Sequence, residues 1–332
     1  MNVTVTGGQG DGYLTVWPCD QDRPVASNLN FTANQDVANL VTVRLSTLKQ
    51  VCIVASAATH VLADLAGTYE YDSGSVSSAI TPTRVLDTRA GTGAPSAKLS
   101  ANGTLTLQVA GAAGVPSEGA TAVTMNVTVT QPETDGYLTV WPCDESRPEA
   151  SNLNFLAGQD IPNLVTVKLS ASGTVRFFST ATTHLIADAS MWYSPEATAG
   201  FVDVAPERVL DTRLGIGAPA TKLEGNAADA LVLQVTGEAG IPVSGVTAVT
   251  MNVTVTQPDT DGYLTVWPCD RPRPEASNLN FVAGQDVPNL VVVQLSATGT
   301  VCMFSTATTH VLADAAGYST ATPVTGWIVS VV

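Results

Sequence analysis

The chain is poor in charge, and poorest in positive charge. Of 332 residues only 14 are Lys or Arg, against 29 Asp or Glu, a formal net charge of −15. That balance excludes a broadly basic surface, so no nucleic acid or anionic lipid is expected as a partner. Three histidines and five cysteines are too few for a multi-metal or disulfide-dense protein. No apolar run reaches the roughly 18 residues of a membrane helix, so no membrane insertion is expected. No stretch of ten residues or more carries a helical period. No G-x-S-x-G or similar nucleophile motif occurs, so the chain does not read as an enzyme. No metal and no cofactor is expected. What is plentiful is apolar residues, at 45%, which places the chain among folded proteins.

Repetition dominates the rest. GYLTVWPCD occurs at 12–20, 136–144 and 262–270, and SNLNF at 27–31, 151–155 and 277–281. His60, His184 and His310 share one repeat position, 124 and then 126 residues apart. RVLDTR appears only twice, at 84–89 and 208–213. The chain therefore divides into a partial unit, 1–67, two complete units, 81–193 and 205–318, and a tail, 319–332. A period this long marks domains and not solenoid turns. The partial unit lacks the first 40 or so residues of the pattern. Met1 aligns with Met125 and Met251 and so reads as an ordinary repeat residue. A boundary inside a repeat, a misplaced start codon, or an N-terminus whose first strands come from elsewhere each accounts for it. The stretches 68–80 and 190–204, rich in Ser, Thr, Ala and Tyr, read as short linkers.

Each unit reads as strands. MNVTVT (125–130), YLTVW (137–141), NLVTVKL (163–169), TVRFF (174–178) and THLIAD (183–188) are β-branched or aromatic runs separated by Gly, Pro, Asn and Asp. Asp-Gly in QPETDG (131–136) and QPDTDG (257–262) supplies hairpin turns. The expected fold is all-β: tandem antiparallel β-sandwich domains of about 115–125 residues, the first incomplete.

Cys19 and Cys52 are 33 residues apart, as are Cys269 and Cys302; Cys143 has Arg176 at that offset. Two disulfides, Cys19–Cys52 and Cys269–Cys302, and an unpaired thiol at Cys143 are the simplest reading. They imply an oxidising compartment, extracellular or at the cell surface. The alternative is five reduced core cysteines.

Several residues carry candidate chemistry. His184 and Asp188, like His60 and Asp64 or His310 and Asp314, are four apart. On a strand that places them about 13 Å apart on one face, too far for a dyad. Arg84, Asp87 and Arg89 recur as Arg208, Asp211 and Arg213; they read as an ion-paired corner or as a carboxylate-recognition site. Glu133 with Asp135, Asp259 with Asp261, and Asp144 or Asp270 are acidic loop residues without a calcium-loop spacing. Tyr137 and Trp141, with Tyr263 and Trp267, form a candidate ligand stripe along one strand face, suited to stacking on sugar rings. N-x-[ST] occurs at Asn2, Asn30, Asn102, Asn126 and Asn252, of which Asn2, Asn126 and Asn252 fall within expected strands.

The order RVLDTR-x-G, GVP, AVTMNVTVT, GYLTVWPCD, SNLNF, PNLV, TH-x-x-A-D resembles a tandem repeat of secreted actinobacterial proteins. The resemblance covers about 300 of the 332 residues. It implies an extracellular all-β module and brings no catalytic residues. Where that repeat ends in a pattern like D-V-x-G-Y-F, this chain has Asp314-Ala315-Ala316-Gly317-Tyr318 and, in the middle unit, Asp188-Ala189-Ser190-Met191-Trp192-Tyr193.

The tail ends in uncharged GWIVSVV (326–332). Trp327, Ile328, Val329 and Val331 form a candidate assembly strand, expected to fill an edge of the last domain or of the partial unit of the next chain. The expected role is an extracellular structural or adhesive β-repeat protein, self-associating head to tail. The alternative is a carbohydrate-binding accessory module of a secreted hydrolase, with a polysaccharide as its partner.

Overall fold

Alternating Val and Thr favour extended backbone, and Asp-Gly and Asn-rich turns break it into short lengths. The computed structural model describes residues 1–71, 76–195, 200–320 and 327–331. Twenty-four strands are present and no helix among these residues. The first unit contains β1 (Asn2–Thr6), β2 (Gly12–Pro18), β3 (Leu29–Phe31), β4 (Val37–Leu40), β5 (Val51–Ala55), β6 (His60–Asp64) and β7 (Gly67–Tyr71). The second contains β8 (Val76–Asp87), β9 (Gly103–Gln108), β10 (Ala122–Thr130), β11 (Gly136–Pro142), β12 (Leu153–Phe155), β13 (Ile161–Lys168), β14 (Thr174–Ser179) and β15 (His184–Ser194). The third contains β16 (Phe201–Asp211), β17 (Leu231–Gln234), β18 (Val246–Thr256), β19 (Gly262–Pro268), β20 (Leu279–Phe281), β21 (Val287–Gln294), β22 (Thr300–Ser305) and β23 (His310–Thr320). The tail supplies β24 (Trp327–Val331).

The second unit is a sandwich of two four-stranded antiparallel sheets, β13-β10-β15-β8 and β12-β11-β14-β9. The third repeats it as β16-β23-β18-β21 and β17-β22-β19-β20. The first has only β4-β1-β6 and β3-β2-β5. Among the described residues each of its sheets thus has one outer strand fewer, the counterparts of β8 and β9. Val123, Met125, Val127, Leu138, Phe177 and Leu185 fill the core of the second unit, and Val249, Met251, Val253, Leu264, Met303 and Val311 that of the third.

Strand β10 is buried on both faces, although its outward residues are Thr and Asn. The cause is contact between units. Asn126 donates to the carbonyl of Ser277 in the third unit, 2.7 Å. It also accepts from Asn289, 2.8 Å. The same pair of bonds joins Asn2 to Ser151 and Asn163, and Asn252 to Ser27 and Asn39. First meets second, second meets third, and third meets first. The three sandwiches therefore close into a ring about a pseudo-threefold axis. Leu40, Leu164 and Leu290, one from each unit, lie in the apolar cluster they share. All six asparagines are buried, and each donates and accepts across a boundary, so their amides are satisfied without water.

The stretches read as linkers are mostly strand. The first residues of β8 pair with the end of β15, Ala79 facing Met191. Those of β16 pair with the end of β23, Asp203 facing Gly317. The tail does the same for the first unit: β24 pairs with β7, Val331 facing Gly67 and Trp327 facing Tyr71. This corrects the expectation for Trp327, Ile328, Val329 and Val331. They form a strand that pairs with β7 of the same chain and not with the last domain. Ring closure brings the third unit beside the first, so the tail reaches β7 within its own chain.

Candidate functional site

The candidate stripe lies on the outer face of the sheet β17-β22-β19-β20, and on its counterpart in the second unit. Strand alternation turns Leu264 and Val266 inward and Tyr263, Thr265 and Trp267 outward. Tyr137 and Tyr263 are about 40% exposed, at 38% and 40%, but Trp141 and Trp267 are buried. The half-exposed Tyr–Trp stripe is therefore corrected to an exposed Tyr and a covered Trp. The cover is the turn that follows V-W-P-C-D. Trp267 Nε1 donates to the Arg271 carbonyl, 3.1 Å, and Trp141 Nε1 to that of Glu145, 3.2 Å. Arg273 then lies over the Phe304 ring at 3.6 Å from its centroid, and Arg147 over Phe178 at 3.7 Å. Such guanidinium–ring stacking contributes about 0.5–2 kcal/mol.

On the same face in the third unit is the disulfide Cys269–Cys302, with Cys302 opposite Trp267 on β22 and packed in one cluster with Trp267 and Phe304. Cys19–Cys52 holds the same place in the first unit. In the second unit Arg176 faces Trp141, and Cys143 is a free thiol. Beside Trp267 an open pocket of about 540 Å³ is lined by Asn226, Ala227, Ala228, Ala230, Trp267, Arg273 and Phe304. Its walls offer ring faces, one guanidinium and one amide. They hold no carboxylate, imidazole, hydroxyl or thiol, so the pocket can hold a ligand but has no acid–base chemistry. Phe304 and Arg273 did not figure in the sequence reading. Their signal was the Arg-Pro pair at a constant distance after the tryptophan, beside a Phe present in both complete units.

The RVLDTR corner is ion-paired within its own unit. Arg84 binds Asp188 through Nε at 2.7 Å and Nη2 at 3.1 Å, and Asp87 through Nη1 at 2.9 Å. Its Nη2 also donates to the Glu275 carbonyl of the third unit, 2.7 Å. Arg208 repeats this with Asp314, Asp211 and, at 3.5 Å, the Val25 carbonyl of the first unit. Arg89 and Arg213 add further bonds to Asp87 and Asp211. Hydrogen bonds from Arg89 hold Asp87 far below the usual carboxylate range, against its burial. Burial pushes Asp211 up, but the bonds and charges of Arg213, with the charge of Arg208, outweigh it and leave it at about 2. Asp188 and Asp314 are raised by burial in spite of Arg84 and Arg208. This is an ion-paired corner in which Arg84 and Arg208 are each shared between two aspartates.

His184 and His310 bond through Nδ1 to Thr88 and Thr212, at 2.9 and 3.0 Å, and not to Asp188 or Asp314. The acidic loop residues cap backbone. Asp135 accepts from Ala157, Asp144 from Ala171, Asp261 from Ala283 and Asp270 from Ala297. Glu133 and Asp259 pair with Lys98 and Lys222. Among the described residues no three His, Cys, Asp or Glu side chains gather to hold a metal ion.

No protein-family model matches the chain. No curated protein matches it either. Among solved structures it is similar to the CBM22-1–CBM22-2 tandem domain of Paenibacillus barcinonensis Xyn10C. The identity is 12% over 74% of this chain and all of that one, with a TM-score of 0.20. A triple jelly-roll protein of an archaeal virus is similar at 11% identity, over 96% of this chain and 79% of that one, TM-score 0.20. An IolB-like protein of Salmonella typhimurium is similar at 12% identity, over 71% and 85%, TM-score 0.19. These superpositions are too loose to carry a site or a ligand across. The all-β sandwich architecture stands on the chain's own sheets. Two disulfides fit an oxidising compartment. Among the described residues no helix is long and apolar enough to cross a membrane.

Proposed function

We propose that the chain is an extracellular, non-catalytic β module with a structural or adhesive role. The observation that carries this reading is the closed ring of three sandwiches, joined by six buried asparagines, with a disulfide inside the first unit and another inside the third. Such a body keeps its outer faces in fixed relation, as a platform or spacer requires. Its buried ionisable groups are spent on one another. The repeat's likeness to secreted actinobacterial modules supports export. Adhesion is tested with protein-coated beads on purified actinobacterial cell-wall polymer. Retention above albumin-coated beads is expected, and equal retention refutes the adhesive role.

A second reading, carbohydrate binding, is favoured by the pocket at Trp267, Phe304 and Arg273. Ring faces with a polar edge suit a pyranose. Titration with a glycan panel tests it. Binding that survives Arg273→Ala unchanged places any sugar elsewhere.

A further inference from the structure

The two complete units differ in length at one place, beside Phe304. Leu99 and Leu107 of the second unit are eight residues apart, and their counterparts Leu223 and Leu233 are ten apart. Both ends of the stretch are fixed alike. Leu99 bridges Thr183 as Leu223 bridges Thr309, and Leu107 faces Val175 as Leu233 faces Val301. Asn102 and Asn226 also match, each donating its N–H to an equivalent serine carbonyl, that of Ser179 or Ser305. The length change is therefore local: Ala227, Ala228 and Asp229 stand where the second unit has Gly103 alone. The insertion shortens a strand. β9 spans six residues, and its Thr104 faces Phe178. β17 spans four, begins at Leu231 opposite Met303, and puts no residue opposite Phe304. The pocket of about 540 Å³ opens there, between Ala227, Ala228 and Ala230 on one side and Trp267, Phe304 and Arg273 on the other. That volume is in the range of small-ligand sites.

Arg273 is the one cation on these walls, and no carboxylate lines them. Arg84, Arg89, Arg208 and Arg213 are each paired with aspartates. Arg273 makes no ion pair or hydrogen bond among the described residues and lies over the Phe304 ring. A guanidinium seated this close over a ring keeps its N–H edge free, because its five donors radiate in one plane. That edge matches a carboxylate in two parallel bonds. Asp229, in the inserted loop, is exposed and is not part of the wall. Asn226 Nδ2 is engaged on the Thr306 carbonyl at 2.9 Å, which leaves its Oδ1 as an acceptor.

We propose that this pocket binds a uronic acid residue of an anionic polysaccharide. The inference rests on the carbohydrate reading and narrows it to sugars that carry a carboxylate. The carboxylate takes the free edge of Arg273, the C–H face of the pyranose lies against the alanine methyls, and a ring hydroxyl donates to Asn226 Oδ1. A neutral sugar fills the same space but covers the guanidinium without pairing it, which costs affinity. The second unit, where Thr104 faces Phe178, has no equivalent insertion to form the alanine wall.

Calorimetric titration of the whole chain tests the assignment. The probes are galacturonate, glucuronate and mannuronate oligomers, each beside its carboxyl-reduced, neutral form. At least one acid oligomer is expected to bind, about ten- to a hundredfold tighter than its neutral form. Arg273→Gln should erase that difference. Removing Ala227 and Ala228, which restores the spacing of the second unit, should abolish binding, and Arg147→Gln should leave it unchanged. Acid and neutral forms bound equally well would refute the carboxylate while leaving the carbohydrate reading in place. An acid preference that survives both Arg273→Gln and the two-residue deletion would refute the pocket and place the sugar elsewhere. If no oligomer of either form binds, the inference and the carbohydrate reading fall together.

Discussion

Replacing Asn163 by alanine tests whether the ring is held as described. Asn163 is buried between the first and second units. Its Nδ2 donates to Asn2 Oδ1 at 2.9 Å and to the Asn152 carbonyl at 2.6 Å. Its Oδ1 accepts the Leu40 N–H at 3.1 Å. Alanine removes all three bonds and leaves three polar groups facing the space the amide occupied. A buried polar group left unpaired costs about 1–3 kcal/mol. Water entering that space relieves part of this, so a loss of about 3–5 kcal/mol is expected. Urea unfolding followed by tryptophan fluorescence measures it. Because the bonds cross a boundary, the three units should melt together, in one transition that moves to lower urea with little change in slope. Asn154→Ala, on the half-buried Asn of β12, serves as control and should change little. A loss below about 1 kcal/mol for Asn163→Ala would show that its three bonds contribute no more than water does. A wild-type curve that breaks into three steps would refute the closed ring.

Other consequences are as direct. Opening Cys269–Cys302 by a double serine substitution frees a loop of 33 residues and should cost about 3–4 kcal/mol, read as a lower Tm that reductant does not lower further at that site; Cys143→Ser should leave Tm unchanged. Asp87 and Asp211 have folded values depressed below the ordinary 3.8, Asp211 to about 2, so the stability they confer is present above about pH 4 and is lost as pH falls toward 2. Asp188 and Asp314 are raised and work the other way: their burial penalty fades as they protonate, which blunts the acid loss. Asp211→Asn should flatten the stability–pH curve across that window, and an unchanged slope counts against the corner. Expressed through a eukaryotic secretory pathway, the chain should carry glycan at exposed Asn102 and none at buried Asn2, Asn126 or Asn252; a peptide mass map showing a modified Asn126 would contradict its burial.

Much of this was legible in the residues because strands and disulfides leave local signatures. Val–Thr alternation in MNVTVT marks a strand whatever its neighbours. A constant offset of 33 joined Cys19 to Cys52 and Cys269 to Cys302, since equivalent positions in equivalent folds lie equally close. What was not legible depends on how the units meet. Trp141 and Trp267 looked half exposed because alternation gives the face of a strand but not what covers it; the turn carrying Arg147 or Arg273 does that. The asparagines of MNVTVT and PNLV looked like ordinary strand residues. Their role lies across a boundary, so no spacing within one unit reveals it. One clue was present: both asparagine positions persist in the shortened first unit, as Asn2 and Asn39, while RVLDTR does not. The stretches 68–80 and 190–204 read as linkers because they lack strong alternation, yet the ends of β15 and β23 draw their last residues into sheets.

Closure also sets what the tail meets within its own chain. Contacts in which one surface of a unit meets a different surface of the next are head to tail, and they polymerise unless the rotation between units brings the last back to the first. The Asn2–Asn163, Asn126–Asn289 and Asn252–Asn39 bonds are one such contact made three times, and the third returns to the starting unit. Once the ring is closed, no copy of that surface is left over. The tail and β7 are then held on one chain, where the effective concentration of a short tether, of order millimolar, favours pairing within the molecule over pairing between molecules. Strand β24 therefore competes with any outside strand for β7 and wins on proximity.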